Sequence, residues 1–295
     1  DIGTSTTQCV FSALTLSNLA SSFSVPRIQI TDKRVLYRAP VRLTPLLSAD
    51  TIDTQELERM ISADYAEAGI VPKNIQLGAV IITGETARKQ NARAVTQALS
   101  RLAGDFVVAT AGPALESILA GRGSGAAELS RATGKTVLNL DIGGGTTNMA
   151  LFDRGDPIAD GCLDIGGRLI KVENGVITYV FPTIKELAAA HDIRLQAGDR
   201  ADEKLLYRVC EYMADQLAMA IHLKEADSFH KKLYTNDGKP LVKEPSITAV
   251  TFSGGVAECM RHPEETDPFR FGDVGVLLAK AVKANSSFGR IHQYE

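Results

Sequence analysis

Two short phrases in this chain place a carboxylate beside backbone that a phosphate can reach. The first is Asp1-Ile2-Gly3-Thr4-Ser5-Thr6-Thr7. The second lies 140 residues on, at Asp141-Ile142-Gly143-Gly144-Gly145-Thr146-Thr147, and the two agree at five of seven positions. Glycines bring N–H donors close to an anion, hydroxyls add further donors, and a carboxylate can hold a hydrated divalent cation. Each phrase sits where a strand should turn. Two such turns facing each other could clamp a polyphosphate from both sides, so the repeat points to a two-lobed nucleotide machine built by duplication.

A single D-x-G-x-x-T phrase reads equally well as a tight hairpin, and three further segments shift the balance. Val250-Thr251-Phe252-Ser253-Gly254-Gly255 is a second strand-to-glycine turn, where a purine or ribose could lie against bare backbone. The segment from Ala111 through Gly112, Pro113 and Glu116 to Gly121 is a small-residue helix that would let two domains approach closely. Phe271 to Ala279 is its counterpart after the second glycine turn.

The elements that must position these turns can be read from periodicity. Strands are expected at 6–11 and 27–37, the latter as a hairpin turning at Asp32-Lys33. Asp53 to Ala68 reads as a helix with Leu57, Met60, Ile61 and Tyr65 on one face and Gly69 as its stop. Leu77 to Ile82 has the apolar run of a strand buried on both faces. A helix over 86–102, a strand at 106–109 and a helix over 113–120 follow. Residues 121–125 read as a flexible link, either a surface loop or a hinge. Residues 136–153 form strand, glycine turn and strand, and 205–226 the longest helix, with His222 a helix-end residue rather than a ligand. A solvated hairpin or loop over 231–244, a buried strand at 247–252 and a helix over 271–284 complete the chain. Strands alternating with helices favour an α/β fold with helices covering mixed sheets.

At 295 residues the chain can bury a full core and make two domains. The expected division is a first lobe over 1–125, a second over 126–270, and a final helix and tail over 271–295. A net charge of −3 argues against a nucleic-acid surface. No stretch is apolar enough to span a membrane, and nothing resembles a secretion signal. Four cysteines without a C-x-x-C pair read as reduced and mostly buried. Five dispersed histidines make a zinc site unexpected. The chain opens on the first turn without a leading apolar strand and closes on a short polar tail, so both ends are expected to be incomplete.

Phosphate turn, close-packed helix, phosphate turn, nucleoside turn, close-packed helix is an order that resembles the actin, Hsp70 and sugar-kinase superfamily. The resemblance covers nearly the whole chain. It implies an actin/Hsp70-like, ribonuclease H-like α/β fold: a duplicated two-lobe ATPase with its nucleotide cleft between the lobes. ATP and Mg²⁺ are the implied cofactors. Asp1 and Asp141 would hold Mg²⁺ through water and serve catalysis. Gly3, Thr4, Ser5 and Thr6 would line one side of the phosphates, Gly143, Gly144, Gly145 and Thr146 the other, and Gly254 and Gly255 would meet the nucleoside. In the chaperone branch an acid or amide near the first inter-domain helix places the attacking water. Gly112-Pro113 stands there in this chain, which implies slow hydrolysis. Glu85 is the candidate replacement, with a plain surface role an equal alternative. Arg88 and Arg93 read as a solvated helix face, and Arg168 stays undecided.

Within the superfamily, a narrower resemblance rests on DIGTSTTQ, IITGETARKQNAR, GDFVVATAGPALESILAGRGSGA, LNLDIGGGTTNMALFD, GGRL, TFSGGVAEC and DPFRFGDVGVLLA. These strings are similar to the ethanolamine ammonia-lyase reactivating family of bacterial ethanolamine utilisation, least so over 171–203. The resemblance implies a chaperone-like, ATP-dependent factor whose partner is ethanolamine ammonia-lyase. It would release damaged cobalamin so that intact adenosylcobalamin, the partner enzyme's cofactor, can rebind. It also implies a bacterial cytoplasmic location, with an ethanolamine microcompartment as a further association. Neither nucleic acid nor membrane is an expected partner, and homo-oligomerisation stays open. Two alternatives accompany it. One is a small-molecule kinase using Asp164 or Glu85 as base. The other is an actin-like filament or scaffold protein.

Overall fold

Contacts divide the chain into two units, Asp1–Thr110 and Ala111–Glu295. The computed structural model describes residues 1–3, 6–18, 28–40, 42–48, 51–82, 95, 105–110, 112–235 and 240–294. Among them no helix is long and apolar enough to cross a membrane.

In the first unit the strands are β1 (Thr6–Thr7), β2 (Val10–Asn18), β3 (Ile28–Arg38), β4 (Arg42–Leu43), β5 (Leu46–Ser48), β6 (Thr51–Ile52), β7 (Leu77–Ile82) and β8 (Asp105–Thr110), with helix α1 (Thr54–Glu67) after β6. β1 runs antiparallel to β4, and β7 runs parallel to β8. Ile2 joins the pairs: it bridges Thr7 and donates its N–H to the Ile81 carbonyl at 2.8 Å. The first glycine phrase is thereby laid beside β7. α1 begins where the Asp53 carboxylate accepts from the Glu56 N–H at 3.0 Å, and Gly69 follows with φ +65°. Its Leu57 packs with Ile2, Ile52, Val80 and Val95 in a small core.

Two expectations fail in this unit. Asp32 and Lys33 do not turn. They stay extended within β3, opposite Thr15 and Leu14 of β2. Neither residue has glycine's freedom to reverse the chain, and the hydroxyls of Ser12, Thr15 and Ser17 disguise a long strand partner. β7 is not buried on both faces either. Val80 points into the small core, whereas Leu77 is 66% exposed. The helix expected over 86–102 lies outside the described residues except for Val95, which is helical and buried.

The second unit contains α2 (Pro113–Gly123), α3 (Ala126–Thr133), β9 (Val137–Ile142), β10 (Thr147–Asp153), β11 (Asp156–Leu163), β12 (Ile170–Glu173), β13 (Val176–Val180), α4 (Pro182–Ala190), α5 (Glu203–Ala220), β14 (Ala249–Ser253), α6 (Gly254–Arg261), α7 (Gly275–Ala284) and β15 (His292–Tyr294). Five strands make one sheet in the order β11-β10-β9-β14-β15. β10 runs antiparallel to both β11 and β9, and β14 and β15 continue parallel to β9. This is the ribonuclease H-like arrangement. β9 is central, and successive side chains go to opposite faces. Leu138, Leu140 and Ile142 enter a large core with α5, α6 and α7. Val137 enters a second cluster with Ala126, Ala127, Ala150 and Phe152, on the face that α2 and α3 cover.

The link expected at 121–125 is mostly helix. α2 continues through Gly123, and Gly121 lies so close to Phe152 that a Cβ would fall 2.4 Å from its ring. Gly125, at φ +86°, then opens α3, a helix the sequence reading missed. The last long helix starts at Gly275 rather than Phe271, because the Asp273 carboxylate accepts the Gly275 N–H at 2.8 Å. α5 stops at Ala220, and His222 follows at φ +62° with Nε2 bonded to the Leu241 carbonyl.

A buried histidine beside α5 has its tautomer set by its partners. Gln216 Nε2 donates to Asp227 Oδ2 at 2.8 Å, so Gln216 Oε1 accepts from His230 Nδ1 at 2.8 Å. His230 Nε2 then accepts from the Tyr234 hydroxyl at 3.1 Å. Burial lowers the His230 pKa from 6.5, against a smaller opposing pull from Asp227. A lowered folded value means that this contribution is fully present above pH 6.5 and is lost as the pH falls through the folded value. We expect His230→Gln to lower stability at neutral pH and flatten the acid-side slope, read as melting temperature between about pH 5 and 8.

Candidate functional site

Both glycine phrases are closed by the same backbone bond. Gly3 donates its N–H to the Thr6 carbonyl at 2.8 Å, and Gly143 does the same to Thr146 at 2.9 Å. Ile2 faces Thr7 across the first turn as Ile142 faces Thr147 across the second. Thr4, Ser5 and Glu85 lie outside the described residues.

The braces differ. In the first turn the Thr44 hydroxyl donates to the Gly3 carbonyl at 2.8 Å and meets the Thr7 hydroxyl at 2.9 Å. In the second, two backbone amides do the work: Gly167 N–H to Gly143 O at 3.0 Å and Arg168 N–H to Gly144 O at 2.7 Å. That contact needs glycine, since a Cβ on Gly166 would fall 2.4 Å from the Gly144 carbonyl oxygen. The bracing loop is tied down in turn. Val274 N–H donates to the Gly167 carbonyl at 3.0 Å, and Arg168 Nε meets Asp273 Oδ2 at 3.3 Å. Arg168 is therefore bonded to Asp273, whose other oxygen accepts the Gly275 N–H at the start of α7. Asp164 begins the same loop, with its N–H on the Leu233 carbonyl at 2.7 Å.

The rest of the second turn is open to a ligand. Gly143, Gly144, Gly145 and Thr146 are all partly exposed. The N–H groups of Gly144, Gly145 and Thr146 donate to nothing among the described residues. Consecutive unspent amides in a tight turn suit an anion. Beside them Gly254, at φ +88°, lies flat against β9: a Cβ there would fall 2.5 Å from the Ile142 carbonyl oxygen and 3.0 Å from Asp141 Oδ1. Gly254 and Gly255 are exposed at the N-terminus of α6, whose dipole adds positive character.

Asp141 occupies the end of β9, partly buried. Ser253 Oγ donates to its Oδ1 at 2.7 Å, and Oδ2 has no hydrogen bond among the described residues. Burial pushes its pKa up from 3.8, and the Ser253 bond opposes that. The structure thus gathers Asp141, Gly143 to Thr146, Gly254 and Gly255 at one edge of the second unit. In the first unit it gathers Gly3 and Thr6 with Asp1, which is exposed and whose backbone carbonyl accepts the Gln8 N–H at 3.0 Å. A carboxylate with one uncommitted oxygen beside open amides fits a hydrated Mg²⁺ and a phosphate. Sequence reading gave no role to Asn139 or to Ser253, and it quoted Gly166-Gly167 within GGRL without seeing that the pair braces the second turn. The adjacent glycines after Asp164 were the visible signal for the pair.

The family of ethanolamine utilisation protein EutA matches residues 1–294. The chain belongs to the EutA family. This EutA-family chain is 41% identical over 288 residues to ethanolamine ammonia-lyase reactivase EutA of Salmonella typhimurium. It is 40% identical to the Escherichia coli protein of the same name. Each alignment covers 96% of this chain and 60% of the relative, so the chain spans less than two thirds of their length. Among solved structures, an Aquifex aeolicus PPX-GPPA enzyme superposes with a TM-score of 0.53 at 14% identity, over 100% of this chain and 93% of that one. The EutA-family chain has the actin/Hsp70-like α/β fold.

Two substitutions probe this geometry. Gly166→Ala should destabilise by about 1–3 kcal/mol in chemical denaturation, because backbone must move to admit the methyl. Asp141→Asn should raise the melting temperature of the ligand-free protein at pH 7 by a few degrees. A carboxyl pKa raised above 3.8 means the fold prefers the protonated acid, a preference lost as pH rises through the folded value. The charge therefore costs stability at neutral pH, and the amide keeps an acceptor for Ser253.

Proposed function

We propose that the full-length protein is an ATP-dependent reactivating factor for ethanolamine ammonia-lyase. It binds the inactivated enzyme and releases damaged cobalamin, so that intact adenosylcobalamin rebinds. Family membership supports the partner. The observation that carries the engine is the repeated turn, with the same Gly N–H to Thr carbonyl bond at 2.8 Å in one unit and 2.9 Å in the other.

Each turn supplies a carboxylate and phosphate-facing backbone. Asp1 and Asp141 would hold Mg²⁺ through water, and the ion would neutralise charge on the transferred phosphoryl group. The amides of Gly144, Gly145 and Thr146 bind phosphate oxygens in the second unit. Gly3, Thr4, Ser5 and Thr6 serve that role in the first. Gly254 and Gly255 offer bare backbone to the nucleoside. Glu85 is retained as the residue that orients the attacking water. Phosphoryl transfer asks the protein mainly for positioning and charge, which these groups provide. Nucleotide state then alters affinity for the partner, a coupling of about 1–3 kcal/mol in ordinary cases. We place the protein in the bacterial cytoplasm, in association with an ethanolamine microcompartment.

The test takes ethanolamine ammonia-lyase inactivated by bound cyanocobalamin and adds the full-length protein with excess adenosylcobalamin. Deaminase turnover should return with Mg-ATP and stay absent without it. Asp141→Asn should hold recovery at the level seen without ATP. No recovery from a folded protein under either condition would sink the proposal.

A further inference from the structure

Asn139 is an uncharged polar side chain at the centre of an apolar strand, and it is 0% exposed. Its neighbours engage both ends of its amide. Ser124 Oγ and Thr251 Oγ1 each donate to Asn139 Oδ1 at 2.9 Å. Asn139 Nδ2 donates to Ser253 Oγ at 2.9 Å. Ser253 Oγ has one hydrogen, which goes to Asp141 Oδ1 at 2.7 Å. Four side chains thus form a chain of hydrogen bonds from the C-cap of α2 and from β14, through the core, to the carboxylate at the second turn.

This chain has only one workable direction. With the Asn139 amide reversed, Ser253 would have to donate to Asn139 and could not donate to Asp141. An ionised carboxylate only accepts, so the charge on Asp141 sets the polarity of every bond behind it. Ser253 also forgoes its local option. It stands at the N-cap of α6, where a serine commonly caps, yet its side chain makes no cap bond. Its hydroxyl is committed to Asp141 instead.

We propose that Ser253 and Asn139 are positioning residues for Asp141, with Thr251 and Ser124 as their support. They hold Oδ1 in one orientation and leave Oδ2 for the water shell of a divalent cation. This rests on the assignment of Asp141 as a cation ligand in a Mg-ATP site. Outer groups that orient a metal-binding carboxylate typically change metal affinity about 10–100-fold when removed. A merely structural role, satisfying a buried polar group, would alter stability without singling out the cation.

The experiment follows binding of a fluorescent ATP analogue to the full-length protein, titrated with Mg²⁺ at fixed nucleotide, alongside affinity in EDTA and melting temperature. Ser253→Ala should raise the Mg²⁺ half-saturation about 10-fold or more. Its nucleotide affinity in EDTA should be unchanged, and Ser253→Thr should restore the wild-type curve. Ser124→Ala, at the outer end of the chain, should shift the curve the same way by less. It carries the test if Ser253→Ala does not fold. A wild-type Mg²⁺ curve in the folded Ser253→Ala protein, or in Ser124→Ala if it stands in, would overturn the positioning role alone. So would an equal loss of affinity with and without Mg²⁺. Wild-type binding that ignores Mg²⁺ would instead overturn the cation assignment of Asp141, and this proposal with it.

Discussion

The second turn depends on the register of β9 with its two neighbours. Antiparallel pairing with β10 sets Asn148 opposite Asp141, and parallel pairing with β14 sets Ser253 on the other side. A slip of one residue in either ladder would send Asp141 to the apolar face where Ile142 lies, and would separate it from Ser253. Leu138, Leu140 and Ile142 hold that register because they fill the core shared with α5, α6 and α7. Hydrophobic burial on one face of the strand therefore fixes the polar chemistry on the other.

Close backbone packing extends that order beyond the sheet. Gly166 meets the second turn, Gly167 meets Gly275, and Gly254 meets Ile142, each at a separation with no room for a side chain. These contacts connect the turn, the loop after β11, the start of α6 and the start of α7. Asp273 ties the last of these to the loop after β11, accepting the Gly275 N–H and meeting Arg168. A site built this way is held by atoms common to every residue, which explains why glycine dominates it.

The repeated turns, the alternation of strand and helix, α1 with its Asp53 cap, and the strand at β14 were legible because each has a local signature. What escaped had non-local causes. The Asp32-Lys33 turn was inferred from polarity, but the partner strand that keeps those residues extended begins 22 positions earlier, at Val10. The apolar run of β7 gave no sign that only one face would be covered. Ser253 reads as a helix cap in sequence, and its bond to a carboxylate 112 residues away belongs to the fold alone. Arg168 stayed undecided for the same reason, since its bond to Asp273 spans 105 residues.

The two turns share a closing bond but not a brace, and the difference bears on how each half can change. The carbonyl of Gly3 is held by the hydroxyl of Thr44, so one nucleotide change in the gene can loosen or retune that turn. The carbonyl of Gly143 is held by an amide of the main chain, which every residue except proline supplies. Point mutation reaches that brace only indirectly, through the glycines that allow the approach. Substitution therefore has an easier route into the first turn than into the second.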